Sequence, residues 1–108
     1  MARDKGLEQL VWDHLSEEPG VSDKAMFGGL AWMHHGNLLC GARTDGLLVR
    51  LGAGNDGWAL AIPGIERMLS GGRPMAGWVR ASADICDEDL TRRLLDASLA
   101  FVRTLPAK

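Results

Sequence analysis

Residues 25–52 read AMFGGLAWMHHGNLLCGARTDGLLVRLG, an apolar stretch interrupted by two tight-turn signals. Asp45-Gly46 between apolar segments favours a type I′ hairpin, because Asp and Gly tolerate positive φ. His35-Gly36-Asn37 is a second signal of nearly equal quality. Turns this close together leave room only for short strands that pair with their neighbours in sequence. The stretch is therefore expected to form a three-stranded antiparallel meander.

The flanks supply the other layer. DKGLEQLVWDHLSEEPG reads as a helix in which Leu7, Leu10, Val11 and Leu15 recur at helical spacing. Asp4 is its N-cap, and Pro19-Gly20 stops it. NDGWALAIPG reads as a short helix capped by Asn55 or Asp56 and closed by Pro63-Gly64. IERMLSGGRPMAGWVRAS reads as two strands joined around Ser70-Gly71-Gly72. The last helix opens on Asp87, Glu88 and Asp89, which suit the positive end of its dipole. Its apolar stripe is Leu90, Leu94, Leu95, Phe101, Val102 and Leu105, and Pro106 marks the exit. The order expected is α-β-β-β-α-β-β-α. That is an α+β, two-layer fold with a mostly antiparallel five-stranded sheet and helices packed on one face.

At 108 residues the chain makes one domain, spanning 1–108, and at 46% hydrophobic it can bury a core. The N-terminus has no continuous apolar segment of the kind a signal peptide needs. No apolar run approaches the ~20 residues of a membrane span. The two cysteines, Cys40 and Cys86, form no paired motif, so reduced thiols and a cytoplasmic location are expected. The net charge of −2 excludes a general polyanion binder, although residues 24–83 are mildly basic between acidic ends.

His34, His35 and Cys40 are the side chains that most resemble a metal or redox site. Neighbours on a strand point to opposite faces, so His34 and His35 cannot both reach one ion. With Gly36-Asn37 as the turn, Met33 lies opposite Cys40 and His35 opposite Leu38. His35 and Cys40 then share a face only diagonally, which provides two ligands where a structural zinc site takes four. The reading adopted is a hairpin tip with exposed imidazoles and a core thiol. Cys40 lacks the electropositive, part-exposed setting of a catalytic thiol. No Ser occupies a G-x-S-x-G elbow, and RLGAGNDG lacks the spacing and the Lys-Ser/Thr of a phosphate-binding loop. No enzymatic activity, metal or cofactor is expected.

Three segments together carry a resemblance: KAMFGGLAW, GNLLCG followed by DGLLVRLG, and GRPMAGWV ahead of a helix ending LAFVRTLP. They resemble the TfoX (Sxy) N-terminal domain family. Its pattern has Lys before Met-Phe-Gly-Gly, a Gly-Asn or Asn-Gly hairpin turn, and Gly-Arg-Pro-Met-x-Gly-Trp. Here these fall at Lys24 to Gly29, Gly36-Asn37 and Gly72 to Trp78. The resemblance implies a two-layer α/β fold and a link to regulation. Full-length members act in bacterial competence as co-activators beside the cyclic-AMP receptor protein, and carry a second, helical C-terminal domain. The chain ends at Lys108, just after the first domain, so a standalone domain is expected. The resemblance brings no catalytic residues with it.

The residues themselves point to an interaction surface. Phe27, Ala31 and Met33 are expected on one side of the first strand, and Leu30, Trp32 and His34 on the other. Both sides are apolar, whereas a sheet covered on one face should be polar on its open face. Leu30, Trp32, Leu39 and Leu48 are therefore expected to lie uncovered. Such a patch marks an interface with a protein partner, or a symmetric homodimer formed by pairing through it. Arg43 and Arg50 are expected close together on the Leu48 side, with Arg67, Arg73 and Arg80 completing a basic rim. A sheet bearing arginines and aromatics also allows a nucleic-acid or anion-binding reading, which the low pI disfavours. No membrane partner is expected. The function expected is a non-enzymatic regulatory or adaptor domain acting by protein–protein contact.

Overall fold

The computed structural model describes residues 4–26 and 28–108. Three helices, α1 (Lys5–Leu15), α2 (Gly57–Leu60) and α3 (Glu88–Val102), accompany six strands. The strands are β1 (Val21–Met26), β2 (Gly29–His34), β3 (Asn37–Arg43), β4 (Gly46–Arg50), β5 (Ile65–Ser70) and β6 (Arg73–Ser82). They form one sheet in the order β1-β2-β3-β4-β6-β5, in which every neighbouring pair is antiparallel. A short 3-10 turn, Ala83–Ile85, leads from β6 into α3.

The sheet has six strands rather than the five expected, and the chain order gains a fourth strand before α2. The added strand is β1. Ser22, Asp23, Lys24 and Ala25 are all exposed there, so it shows no apolar alternation. Backbone pairing with β2 defines it, which suits an edge strand whose charges discourage further pairing. Phe27, expected beside Ala31 and Met33, lies outside the described residues.

Both long helices start as their sequences dictate. The Asp4 side chain accepts from the Leu7 N–H at 2.9 Å and the Asp87 side chain from the Leu90 N–H at 2.8 Å. Asp56 precedes α2 but makes no side-chain cap; its buried carboxylate faces Arg67 at 3.2 Å instead.

The turns differ from expectation by single residues, and those shifts decide which side chains are inside. The first hairpin turns on His35-Gly36, with φ of 49° and 84°, the type I′ signature. His34 therefore faces Asn37, and Met33 faces Leu38. The next hairpin turns on Thr44-Asp45, with Arg43 opposite Gly46, and Asp45 does not take positive φ. Arg43 closes this turn with two hydrogen bonds to the Asp45 carboxylate, at 2.9 and 2.8 Å.

In the resulting register, Trp32, Cys40, Val49 and Val79 form one row across the sheet, and Leu30, Ala42, Leu47 and Ala81 the next. Both rows face α1 and α3. Trp32 is fully buried, with its ring edge-on to Trp12 of α1 at 6.0 Å. A register shift between Trp32 and Met33 gives β3 an extra residue, so Leu39 and Cys40 both join the core. The Ser98 hydroxyl of α3 donates to the Leu39 carbonyl at 3.0 Å and ties the layers together.

Candidate interaction groove

The six residues expected to form an uncovered sheet face do not form one. Leu30, Trp32 and Leu39 belong to or pack against the core beneath the helices, and Trp32 and Leu39 are fully buried. Leu48 does lie on the opposite face, in the row Ala31, Gly41, Leu48, Arg80. It is nevertheless only 1% exposed. Gly41 beside it has no side chain, and a Cβ placed there would lie 3.9 Å from the Leu48 Cδ1 methyl. Leu48 leans into that space rather than standing into solvent. The expected uncovered apolar patch is thereby corrected.

Arg43 and Arg50 are not neighbours either. Arg43 pairs across from Gly46 and Arg50 across from Trp78, at opposite ends of β4. The one-residue shift of the turn moves them apart. The arginines of the expected basic rim are mostly engaged. Arg67 faces Asp56 at 3.2 Å, and Arg80 reaches Glu66 at 3.2 Å and the Asp45 carbonyl at 2.9 Å. Asp45 feels this setting. Partial burial works to raise its carboxyl, but the hydrogen bond and charge of Arg43, aided by Arg80, hold it below the usual aspartate value of 3.8. Arg73 stands exposed at the start of β6, paired with Ser70 across the turn.

The histidines and cysteines do not converge. His34 is buried rather than exposed as expected, 3.6 Å from the Glu18 carboxylate, which also takes Arg103 at 2.5 Å. His35 stays exposed at the turn, its ring edge-on to His34 at 4.4 Å. Cys40 lies in the core row opposite Trp32, and burial pushes its thiol far above the ordinary value. Burial raises the Cys86 thiol to about 11. Among the described residues, no group of three or more His, Cys, Asp and Glu side chains is placed to hold a metal ion. Also among the described residues, no helix is long and apolar enough to cross a membrane.

The surface with the features of a docking site lies elsewhere, between α2 and the second half of α3. Loop residues 51–56 follow β4 and are pinned to β6. The Gly77 carbonyl accepts from the Leu51 N–H at 2.6 Å and from the Gly52 N–H at 3.2 Å. A side chain at Gly77 would place its Cβ 2.5 Å from both the Gly52 carbonyl carbon and the Ala53 nitrogen, and its φ is +83°. The pinned loop presents α2, whose Trp58 is 37% exposed. Opposite, Ala97, Ala100 and Phe101 recur at helical spacing on one face of α3, and Thr104 follows in the turn after it. With Leu51 and Asn55 they and Trp58 line an open groove of about 400 Å³. Its lining sets the small side chains Ala97 and Ala100 beside the two aromatic rings.

Each ring carries a guanidinium. Arg93 lies 5.0 Å from the Trp58 ring centroid and Arg50 5.4 Å from that of Phe101. Alternation alone would send Arg50 to the open face. Instead its guanidinium donates to the Leu38 carbonyl at 3.3 Å and lies over a ring of α3. Phe101 is legible in the sequence as part of the α3 stripe. Trp58 carries one local signal, a large aromatic in a helix too short to bury it.

A family model described as the TfoX N-terminal domain matches residues 13–102, a span that includes both glycine-rich motifs and α3 to its end. No curated protein and no solved structure matches the chain. The family match covers most of the sequence, and the chain belongs to the TfoX N-terminal domain family.

Proposed function

We propose that this domain is a non-enzymatic regulatory adaptor that works by protein–protein contact, using the groove between α2 and α3 as its docking surface. The observation that carries this reading is the exposure of Trp58 at an open groove that it lines with Phe101; the other exposed large apolar side chain among the described residues, Leu69, lies near the tip of the β5–β6 hairpin. A half-exposed tryptophan at a concave apolar site has the character of an interface anchor. The family's link to transcriptional regulation in competence gives this contact its setting, and the bacterial cytoplasm its place. The burial of Cys40 and Cys86 supports a role without thiol chemistry. The nucleic-acid reading gains no support from Arg43, Arg67 and Arg80, whose charges are met by carboxylates.

The reading is tested by placing a photo-crosslinking amino acid at Ala100, within the groove, or at Ser22, on the exposed edge strand, in the native host. A discrete protein adduct at Ala100, lost on Trp58→Ala and not formed from Ser22, is the expected result. An adduct from Ser22 alone would move the docking surface to the sheet edge. Adducts at neither position would refute the adaptor reading.

A further inference from the structure

We infer that the occupant of the groove is a short acidic peptide segment in which carboxylates flank a large apolar anchor residue. This rests on the adaptor reading and adds the chemistry of the partner. The lining of Leu51, Asn55, Trp58, Ala97, Ala100, Phe101 and Thr104 contains no carboxylate. That is a local reversal on a chain of net charge −2 whose α3 begins with Glu88 and Asp89. The nearby acids are turned away. Asp56 faces Arg67 and Asp96 meets His14 at 2.6 Å, each outside the lining.

The charges of the cations at the groove are not met by carboxylates of the described residues. Arg43, Arg67, Arg80, Arg92 and Arg103 each sit on a carboxylate. Among the described residues, neither Arg50 nor Arg93 has a carboxylate within ion-pair distance; each lies over an aromatic ring instead. Neither lines the groove itself, but each lies over one of the two rings that do. Arg93 precedes Ala97 by a helical turn, and Arg50 covers Phe101. Arg93 and Phe101 lie eight positions apart on α3, a rise of about 12 Å along the helix. Two carboxylates, one on each side of an apolar residue in an extended peptide, would meet the two guanidinium groups. An apolar side chain between them would enter the groove over Ala97 and Ala100. The small side chains of Ala97 and Ala100 leave room for one anchor, and the charges over the two rings fix its register.

A single-stranded nucleic acid fits less well. Its backbone needs a track of cations, whereas two guanidinium groups lie at this groove, each already over one of the rings a base would stack on.

The test uses the full chain as bait for a phage-displayed library of random 16-residue peptides. The best binder is then made synthetically and its affinity measured against point variants. The expected consensus is Asp or Glu on both sides of Leu, Phe or Trp. Trp58→Ala should weaken binding about thirty-fold, as loss of an interface anchor does. Ala100 is exposed, so Ala100→Glu and Ala100→Lys change the groove's charge at similar steric cost. The Glu variant should bind about ten-fold more weakly than the Lys variant, and rising salt should narrow that gap. Equal affinity of the two variants, or a neutral or basic consensus still dependent on Trp58, would overturn the acidic-peptide inference and leave the adaptor reading intact. Selected peptides indifferent to Trp58 would refute both. Displacement of the peptide by oligo-dT of twelve nucleotides at comparable concentration would assign the groove to nucleic acid and overturn the inference.

Discussion

Replacing Gly77 with Ala should damage both the fold and the groove, and the loss can be worked from geometry. Gly77 has φ +83°, in the left-handed region, which costs a residue with a side chain about 1–2 kcal/mol. The added Cβ would stand 2.5 Å from the Gly52 carbonyl carbon and from the Ala53 nitrogen. Both are backbone atoms that no rotamer change can move. Relief must come from displacing residues 51–53, which strains the hydrogen bonds from Leu51 and Gly52 to the Gly77 carbonyl. Each such bond contributes about 1 kcal/mol. The total expected loss is about 3 kcal/mol or more. Gly71→Ala is the matched control. Its φ is +59°, but no atom lies within 4 Å of the added Cβ, so only the backbone cost of about 1–2 kcal/mol applies. In equilibrium urea unfolding, a slope near ~1.5 kcal/mol/M converts these losses to midpoint shifts of about 2 M and about 1 M. Because residues 51–56 lead into α2, Gly77→Ala should also change the fluorescence of Trp58, whereas Gly71→Ala should not. A Gly77→Ala midpoint no lower than that of Gly71→Ala would refute the reasoning, since the 51–53 segment would then yield without cost.

The thiols and the Asp45 turn give further tests. Neither Cys40 nor Cys86 should react with Ellman's reagent in the native protein at about pH 8, because burial keeps both protonated and shielded; both should react in urea. Fast native labelling of either would refute the burial argument. The Asp45 carboxyl is depressed in the folded state, so the stability it contributes is fully present above the unfolded value of 3.8 and is lost as pH falls through the folded value. A carbon-13 titration should place Asp45 below 3.8, and Arg43→Ala should return it toward that value while flattening the decline of Tm with acid. An unchanged Asp45 titration in Arg43→Ala would show that Arg43 is not the cause.

The local signals in this chain were legible because each is a property of neighbouring residues. Asp4 and Asp87 name the helix starts, the α3 stripe names its buried side, and Gly71-Gly72 names a hairpin. The motif from Lys24 to Gly29 together with that from Gly72 to Trp78 was enough to point to the family. β1 escaped because an edge strand of Ser, Asp and Lys has no apolar period; its partner defines it. Single-residue differences in turn placement were equally hidden, and they matter because strand alternation sends a shifted residue to the other face. That is why Arg50 parts from Arg43 and why Leu48, though opposite the helices, is buried over Gly41. The groove lies further still from what a sequence pattern can express. Trp58 and Phe101 belong to separate helices, and Arg50 reaches Phe101 from the sheet. Periodicity specifies which side of an element is apolar. Which elements meet, and which charges are left without a partner where they meet, follows only from long-range packing.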